Sequence, residues 1–145
     1  MQSKLIQEQA GERTWAVVFG TGEEALNGLR EFAREANLTG SRFTAIGAFA
    51  DVVLGFFDPE AKQYVKIPIR EQVEVLSLLG NVAQHDGKPK VHAHVVVGKR
   101  DGSAHGGHLL EAHVRPTLEV IVVEAPTHLE RRMDEHTGLA LLKTG

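Results

Sequence analysis

The 145-residue chain has 42% hydrophobic and 24% charged residues, the composition of an ordinary globular protein, and we expect one domain over residues 1–145. Its formal charge is -3 at pH 7 and its lysines and arginines are scattered, which argues against a surface built for a nucleic-acid backbone. The lack of cysteine excludes disulfides and thiolate metal sites, and the lack of a signal peptide or a long apolar run predicts a soluble protein of the cytoplasm.

The first predicted elements are a strand, RTWAVVFG, and the one strong helix of the sequence, in TGEEALNGLREFAREANLTG. Apolar residues at helical spacing form one face that should pack flat on a sheet: Ala25, Leu26, Leu29, Phe32, Ala33 and Ala36. Thr21 and Glu24 have the spacing of a capping box, and Asn37 with Gly40 offers a stop. Gly28 within the helix indicates close packing against a neighbouring backbone.

Strand patterns fill most of the remaining sequence. RFTAIGAFADVVLGFFD is apolar on both alternating faces from Val52 to Phe57, which predicts cover on both sides, and a hairpin follows around Asp58. Further strand candidates are EQVEVLSLLGNVA, KVHAHVVVG, GGHLLEAHV and TLEVIVVEA, and the tail THLERRMDEHTGLALLK predicts a turn plus a short final strand. One helix among hairpin-connected strands predicts an α+β fold, with a largely antiparallel sheet and the helix on one face.

Five of the eight histidines lie in KVHAHVVVGKRDGSAHGGHLLEAH, and their spacing predicts a metal site. His92 and His94 are two residues apart, so both side chains leave the same face of a strand. A three-residue hairpin loop at Arg100–Gly102, with the glycine in the left-handed position, places His94 directly opposite His108. The Cβ atoms are then roughly 5 Å apart. A loop shorter by one residue would turn His108 to the other face.

Three neutral imidazoles with an open fourth position are typical of a catalytic zinc site, although nickel, cobalt, copper or iron would also accept them. The alternative is that the three histidines are polar residues on a half-exposed sheet. His105 falls on the far face of a regular strand, and a bulge at Gly106 and Gly107 would change that assignment. The remaining histidines are predicted to lie outside the site: His85, His113, His128 and His136.

Three segments together resemble a known family: TAIGAFADVVLGFFDPEAKQY, the ordered run G-N, H-x-H, G-G-H-L, and LERRMDEHTGLALL. The chain resembles the plants-and-prokaryotes-conserved domain, a domain of unknown function, over about residues 17–142. The resemblance implies a compact α+β domain that assembles into homotrimers. It also implies a bound metal, usually zinc, at His92, His94 and His108, with Asn81 as a neighbour of the site. Plant members carry a DNA-binding AT-hook, and this sequence has no such arginine-glycine-arginine-proline element, so direct DNA binding is not expected.

Three functions are compatible with these patterns. The first is a metal-dependent enzyme of unknown substrate, in which Glu111 or Glu124 would carry protons, although both glutamates also suit solvent-facing positions. The second is an oligomeric binding module whose metal stabilises the sheet or the subunit interface, with part of VVLGFF and LEVIVVEA at that interface. The third is a DNA-associated regulator, by family analogy alone. We expect a trimeric, histidine-ligated metal-binding protein whose small-molecule ligand the sequence does not name.

Overall fold

The computed structural model describes residues 1–125 and 127–144. The elements, in chain order, are β1 (Gln2–Gln9), β2 (Glu12–Gly20), α1 (Ala25–Glu35), β3 (Gly40–Asp58), β4 (Gln63–Ile69), β5 (Val73–His85), β6 (Lys88–Gly98), β7 (Ala104–Glu124), β8 (Glu130–Asp134) and β9 (Leu139–Lys143). The strands pair antiparallel, except that β5 meets β8 in parallel at Gln84 and Glu130. The α+β prediction is therefore confirmed, and the sheet is mostly antiparallel but mixed.

The sheet closes on itself around the core. One edge of β3 pairs with β7, and its other edge pairs first with β5 and then with β4. Strand β6 pairs with β5 along its length and with the start of β7 through residues 94–98. These pairings join β3, β5, β6 and β7 into a ring, while β2 and β1 extend the sheet from β7. The largest buried aromatic side chains of the core are Phe19, Phe43 and Phe49.

The start of α1 differs from the prediction. The carboxylate of Glu24 accepts hydrogen bonds from the backbone N–H groups of Leu26 at 3.2 Å and Asn27 at 2.8 Å. Glu24 is therefore the N-cap itself, and the capping box between Thr21 and Glu24 was wrong. A carboxylate suits this place because the first N–H groups of a helix have no partner inside it. The predicted stop is confirmed at Asn37, whose φ of 53° ends the helix.

The predicted apolar face of α1 packs on the sheet. Its buried residues are Ala25, Leu26, Leu29, Phe32 and Ala33, with Ala36 partly buried beside them. At Gly28 a Cβ atom would lie 2.2 Å from the ring of Phe19. The close approach predicted there is present, but the neighbour is an aromatic side chain of β2 and not a backbone. Among the residues described, no helix is long and apolar enough to cross a membrane.

Several strand predictions need correction. The prediction that both faces of the strand are buried from Val52 to Phe57 is wrong for the single chain, because Phe56, on the outer face, is 66% exposed. The single strand β7 contains both GGHLLEAHV and TLEVIVVEA, which were predicted as two strands. Within β7, residues 115–117 do not pair with β3, and the Arg115–Pro116 peptide bond there is cis. The tail forms two strands, β8 and β9. Strand β1 was missed because all of its residues are exposed and it has no apolar alternation.

Candidate metal centre

The hairpin between β6 and β7 has the predicted register. The backbone N–H of Lys99 donates to the carbonyl of Ser103 at 2.8 Å, which closes a loop of residues 100–102. Gly102 has a φ of 83°, the left-handed conformation expected of it. His94 consequently pairs with His108, without a bulge between that pair and the loop. The register on which the predicted site depends is confirmed.

His92, His94 and His108 converge on one point outside the ring of strands. One ring nitrogen from each lies within 4.8 Å of the others, and the Nε2 atoms of His92 and His94 are 3.2 Å apart. The ring centroids form a triangle with sides of 5.1, 5.1 and 5.3 Å. Two nitrogens bound tetrahedrally to zinc at about 2.05 Å lie about 3.3 Å apart, with ring centroids about 5 Å apart. The triangle therefore fits one tetrahedral metal ion with three imidazole ligands.

The alternation of β6 explains the direction of these side chains. Val91, Ala93, Val95 and Val97 face the core and are buried, so the residues between them face outward. His94 is exposed, whereas His92 and His108 are half-buried. The His94 corner of the triangle is therefore open to solvent. Tyr64 of β4 contacts the His108 corner, and Arg131 of β8 contacts the His92 corner.

The surroundings favour the neutral form of two of the imidazoles, those of His108 and His92. Desolvation, with smaller contributions from His92, His94 and Lys90, lowers the pKa of His108 to about 4. Desolvation followed by the charge of Arg131 lowers the pKa of His92. Nδ1 of His108 is buried and has no hydrogen-bond partner in the described part of the chain. Because metals bind neutral imidazole, the rings of His108 and His92 are in the state required of ligands at neutral pH.

Tyr64 supports His108 from β4. The two rings stack with centroids 4.5 Å apart and planes at 24°. Tyr64 reaches His108 across Gly55, which pairs with His108 on β3, and a Cβ atom at Gly55 would lie 2.8 Å from the tyrosine ring. Glycine is therefore needed at position 55 for close approach. The sequence analysis missed Tyr64, and a glycine inside a strand was the available signal.

Arg131 of β8 lies behind His92. This arginine is 5% exposed, and its guanidinium donates to the carbonyl of Ala140 at 2.9 Å and to Oδ1 of Asn81 at 2.5 Å. Its Nη2 atom also lies 3.4 Å from Nδ1 of His92. Asn81 pairs with His92 across the β5–β6 ladder, so its predicted position beside the site is confirmed. Arg131 was not predicted, because the tail that contains it has little apolar periodicity.

His105 stays outside the triangle. It pairs with Val97, and the β6–β7 ladder runs through Gly106 and Gly107 without the bulge that would have turned it. His105 and His108 are three residues apart on one strand, so their side chains leave opposite faces. The prediction for a regular strand therefore holds.

The two glutamates considered as proton carriers are engaged elsewhere. Arg13 donates two hydrogen bonds to Glu124, which is buried at the end of β7. A carboxylate of Glu111 lies 3.9 Å from Nε2 of His113. In residues 1–125 and 127–144, neither glutamate joins the three histidines. A proton-carrier role for either residue stays a prediction.

Comparisons with known proteins agree with this architecture. The family model of the Plants and Prokaryotes Conserved domain matches residues 6–126. The chain is similar to a metal-containing protein from Archaeoglobus fulgidus, with 35% identity, a TM-score of 0.84, and coverage of 99% of this chain and 97% of that one. A plant- and prokaryote-conserved protein from Pyrococcus horikoshii has 32% identity, a TM-score of 0.85, and coverage of 99% and 95%.

A third similar structure comes from Bacteroides thetaiotaomicron and carries a provisional description as a DNA-binding protein. It has 27% identity, a TM-score of 0.85, and coverage of 94% of each chain. No curated protein matches this sequence. The comparisons thus connect one fold with two different descriptions of its members.

Proposed function

Because this chain belongs to the plants and prokaryotes conserved domain family, we propose that it is a trimeric metal-binding protein whose centre is formed by His92, His94 and His108. The observation that carries the proposal is the triangle of ring nitrogens within 4.8 Å of one another. The description of the Archaeoglobus fulgidus relative as metal-containing supports it. A divalent ion would supply a Lewis acid with an open fourth position, and we propose zinc because three imidazoles suit it.

The residues of the chain have binding and positioning roles in this proposal. The strand β6 sets the spacing of His92 and His94, and the hairpin register brings in His108. Tyr64 fixes the plane of the His108 ring by stacking on it. Contacts of this kind behind metal ligands orient the rings and tune their affinity. We assign no general acid or base.

The proposed trimer would use the apolar outer face of the sheet. Ile46 is 61% exposed and Leu79 is 56% exposed, and Leu79 pairs with His94 on the neighbouring strand. Exposed apolar patches are typical of surfaces that bind another subunit. Because this face adjoins the histidine triangle, metal binding and assembly are expected to be linked.

The experiment is elemental analysis of the untagged protein, before and after zinc addition, with the oligomer mass measured in parallel. We expect about one zinc per chain, since the structure offers one triangle of ligands. His92→Ala should lose the metal, whereas His105→Ala, on the same hairpin but outside the triangle, should keep it. A trimer that persists in His92→Ala would place the metal on a stable scaffold. A wild-type protein that takes up no zinc would refute the proposal.

Direct contact with DNA is outside this proposal. The formal charge of -3 opposes association with a phosphate backbone. We expect no salt-sensitive affinity for duplex DNA at near-physiological ionic strength. A fluorescence-anisotropy titration that showed such affinity would bring the DNA-associated function forward.

A further inference from the structure

The outer face beside His92 carries a row of polar side chains. Arg42 of β3 pairs with Asn81 of β5, and Asn81 pairs with His92 of β6. Paired residues of antiparallel strands share a face, so all three side chains leave the outer face of the sheet. Neighbouring strands are about 4.8 Å apart, which puts the backbones of Arg42 and His92 about 10 Å from each other. A small molecule can span that distance.

A pocket of about 360 Å³ adjoins this row, and its lining includes Ser41, Arg42 and Asn81. Its volume is within the range of small-molecule sites. Ser41 precedes Arg42 on β3 and its side chain is buried on the inner face, so Arg42 and Asn81 are the polar side chains that face the ligand. Arg42 takes part in none of the arginine ion pairs formed by the described residues. The pocket therefore contains a guanidinium that is available to a ligand.

Arg131 fixes the orientation of the Asn81 amide. A guanidinium can only donate hydrogen bonds, so the atom of Asn81 that faces Arg131 is the acceptor Oδ1. The Nδ2 group of Asn81 is then directed away from Arg131 and remains available as a donor. Asn81 thus presents donors to the pocket, as Arg42 does.

Carboxylates are few around this donor set. The histidine–carboxylate pairs of the described residues involve His85 and His113 and no member of the triangle. Two glutamates line the pocket, and Arg13 binds Glu124, which leaves Glu12. Near the row, the cations outnumber the carboxylate of Glu12, and they are Arg42, Arg131 and Lys90. The local charge is positive although the whole chain is acidic.

We propose that this pocket binds an oxyanion, the carboxylate or phosphate group of a small molecule. Arg42 and Nδ2 of Asn81 donate to its oxygens. Charge-assisted hydrogen bonds of this type favour a ligand that only accepts. The inference deepens the proposed function and rests on it in one respect, that the remainder of the molecule lies at the open position of the metal.

The test is calorimetric titration with inorganic phosphate and, separately, with acetate, at low ionic strength. Zinc-loaded and metal-free protein are both titrated, after dialysis to remove free zinc. We expect saturable binding of at least one anion by the zinc-loaded protein, and the anion with the lower Kd identifies the preferred group. Arg42→Met should raise that Kd about tenfold, because it removes a charge-assisted hydrogen bond. Arg42→Lys keeps the charge and should recover part of the loss.

Two further variants sharpen the result. Glu12→Gln removes the remaining carboxylate of the lining and should lower the Kd a few-fold, the opposite sign to Arg42→Met. Arg132→Met is the matched control, because Arg132 is an exposed arginine of β8 that binds Glu130. Its Kd should equal that of the wild type. Thermal melts of every variant confirm that the fold is intact.

The outcomes separate the pocket from the metal centre. Equal Kd values for the wild type, Arg42→Met and Arg132→Met would overturn the oxyanion pocket even with zinc bound stoichiometrically. Arg42-dependent anion binding by a protein that takes up no zinc would support the pocket and refute the metal centre. No saturable binding of either anion, with or without zinc, would overturn the pocket.

Discussion

Two histidines of the same strand, His108 and His113, have opposite electrostatic environments. Desolvation, with smaller contributions from His92, His94 and Lys90, lowers the pKa of His108 to about 4. A hydrogen bond with Asp51 at 2.8 Å raises the pKa of His113, with smaller contributions from Glu111 and Glu24. The first environment favours neutral imidazole, which binds metals, and the second favours imidazolium. Neighbouring strands, and not the residue type, therefore decide what a histidine of β7 can do.

The residues opposite each histidine account for the difference. His108 lies between His94 on β6 and Gly55 on β3, so its ring meets another imidazole and the face of Tyr64. His113 pairs with Asp51 on β3. Strand register therefore selects the chemistry at each position.

The largest expected effect is on metal affinity. His108→Ala should lower zinc affinity by more than about 100-fold, because losing a ligand exceeds the usual effect of losing a contact behind one. His113→Ala should leave the affinity unchanged. Competition with a chromophoric chelator measures both constants. Similar losses of zinc affinity in His108→Ala and His113→Ala would show that His108 is no more a metal ligand than His113 is.

Arg131 provides the next largest effect, on stability. Arg131→Met removes the donors to Ala140 O and Asn81 Oδ1, and we expect the free energy of unfolding to fall by about 2 kcal/mol. Arg132→Met should change it by less than about 0.5 kcal/mol, because its ion pair with Glu130 is exposed. Urea unfolding at one fixed protein concentration gives both values. Equal changes would mean that the buried contacts of Arg131 contribute little.

Tyr64 tests the support of the His108 ring. Tyr64→Ala removes the stacked ring, and we expect zinc affinity to fall about tenfold. Tyr64→Phe keeps the ring and should bind zinc like the wild type. The same chelator competition applies. An affinity unchanged in Tyr64→Ala would show that the strands alone position His108.

The smallest expected effect is on histidine titration in the metal-free protein, followed by NMR. Asp51→Asn should lower the pKa of His113. In the wild type the raised pKa of His113 stabilises the fold below pH 6.5, and this stabilisation is lost as the pH rises through the folded pKa. His108 has the opposite sign. Its lowered pKa makes the metal-free fold lose stability as pH falls from 6.5 toward about 4, because the unfolded chain then binds the proton more readily. A His108 that titrates above 6.5 would contradict this.

The histidine triangle was predictable because it depends on local properties of the chain. Alternation along β6 and a loop that ends in Gly102 decide which residues face each other. Tyr64 and Arg131 were not predictable, since their contacts depend on the pairing of strands far apart in sequence. The closed ring of strands escaped prediction for the same reason, although the helix and most strands follow from periodicity alone.

X-ray absorption at the zinc edge of the zinc-loaded wild type tests the central claim most directly. We predict a first shell of nitrogen and oxygen at about 2.0–2.1 Å, with the outer-shell scattering of three imidazoles. In His94→Ala the zinc that remains should show one imidazole fewer. A first shell with fewer than three imidazoles in the wild type, or one that His94→Ala leaves unchanged, would contradict a centre built from His92, His94 and His108.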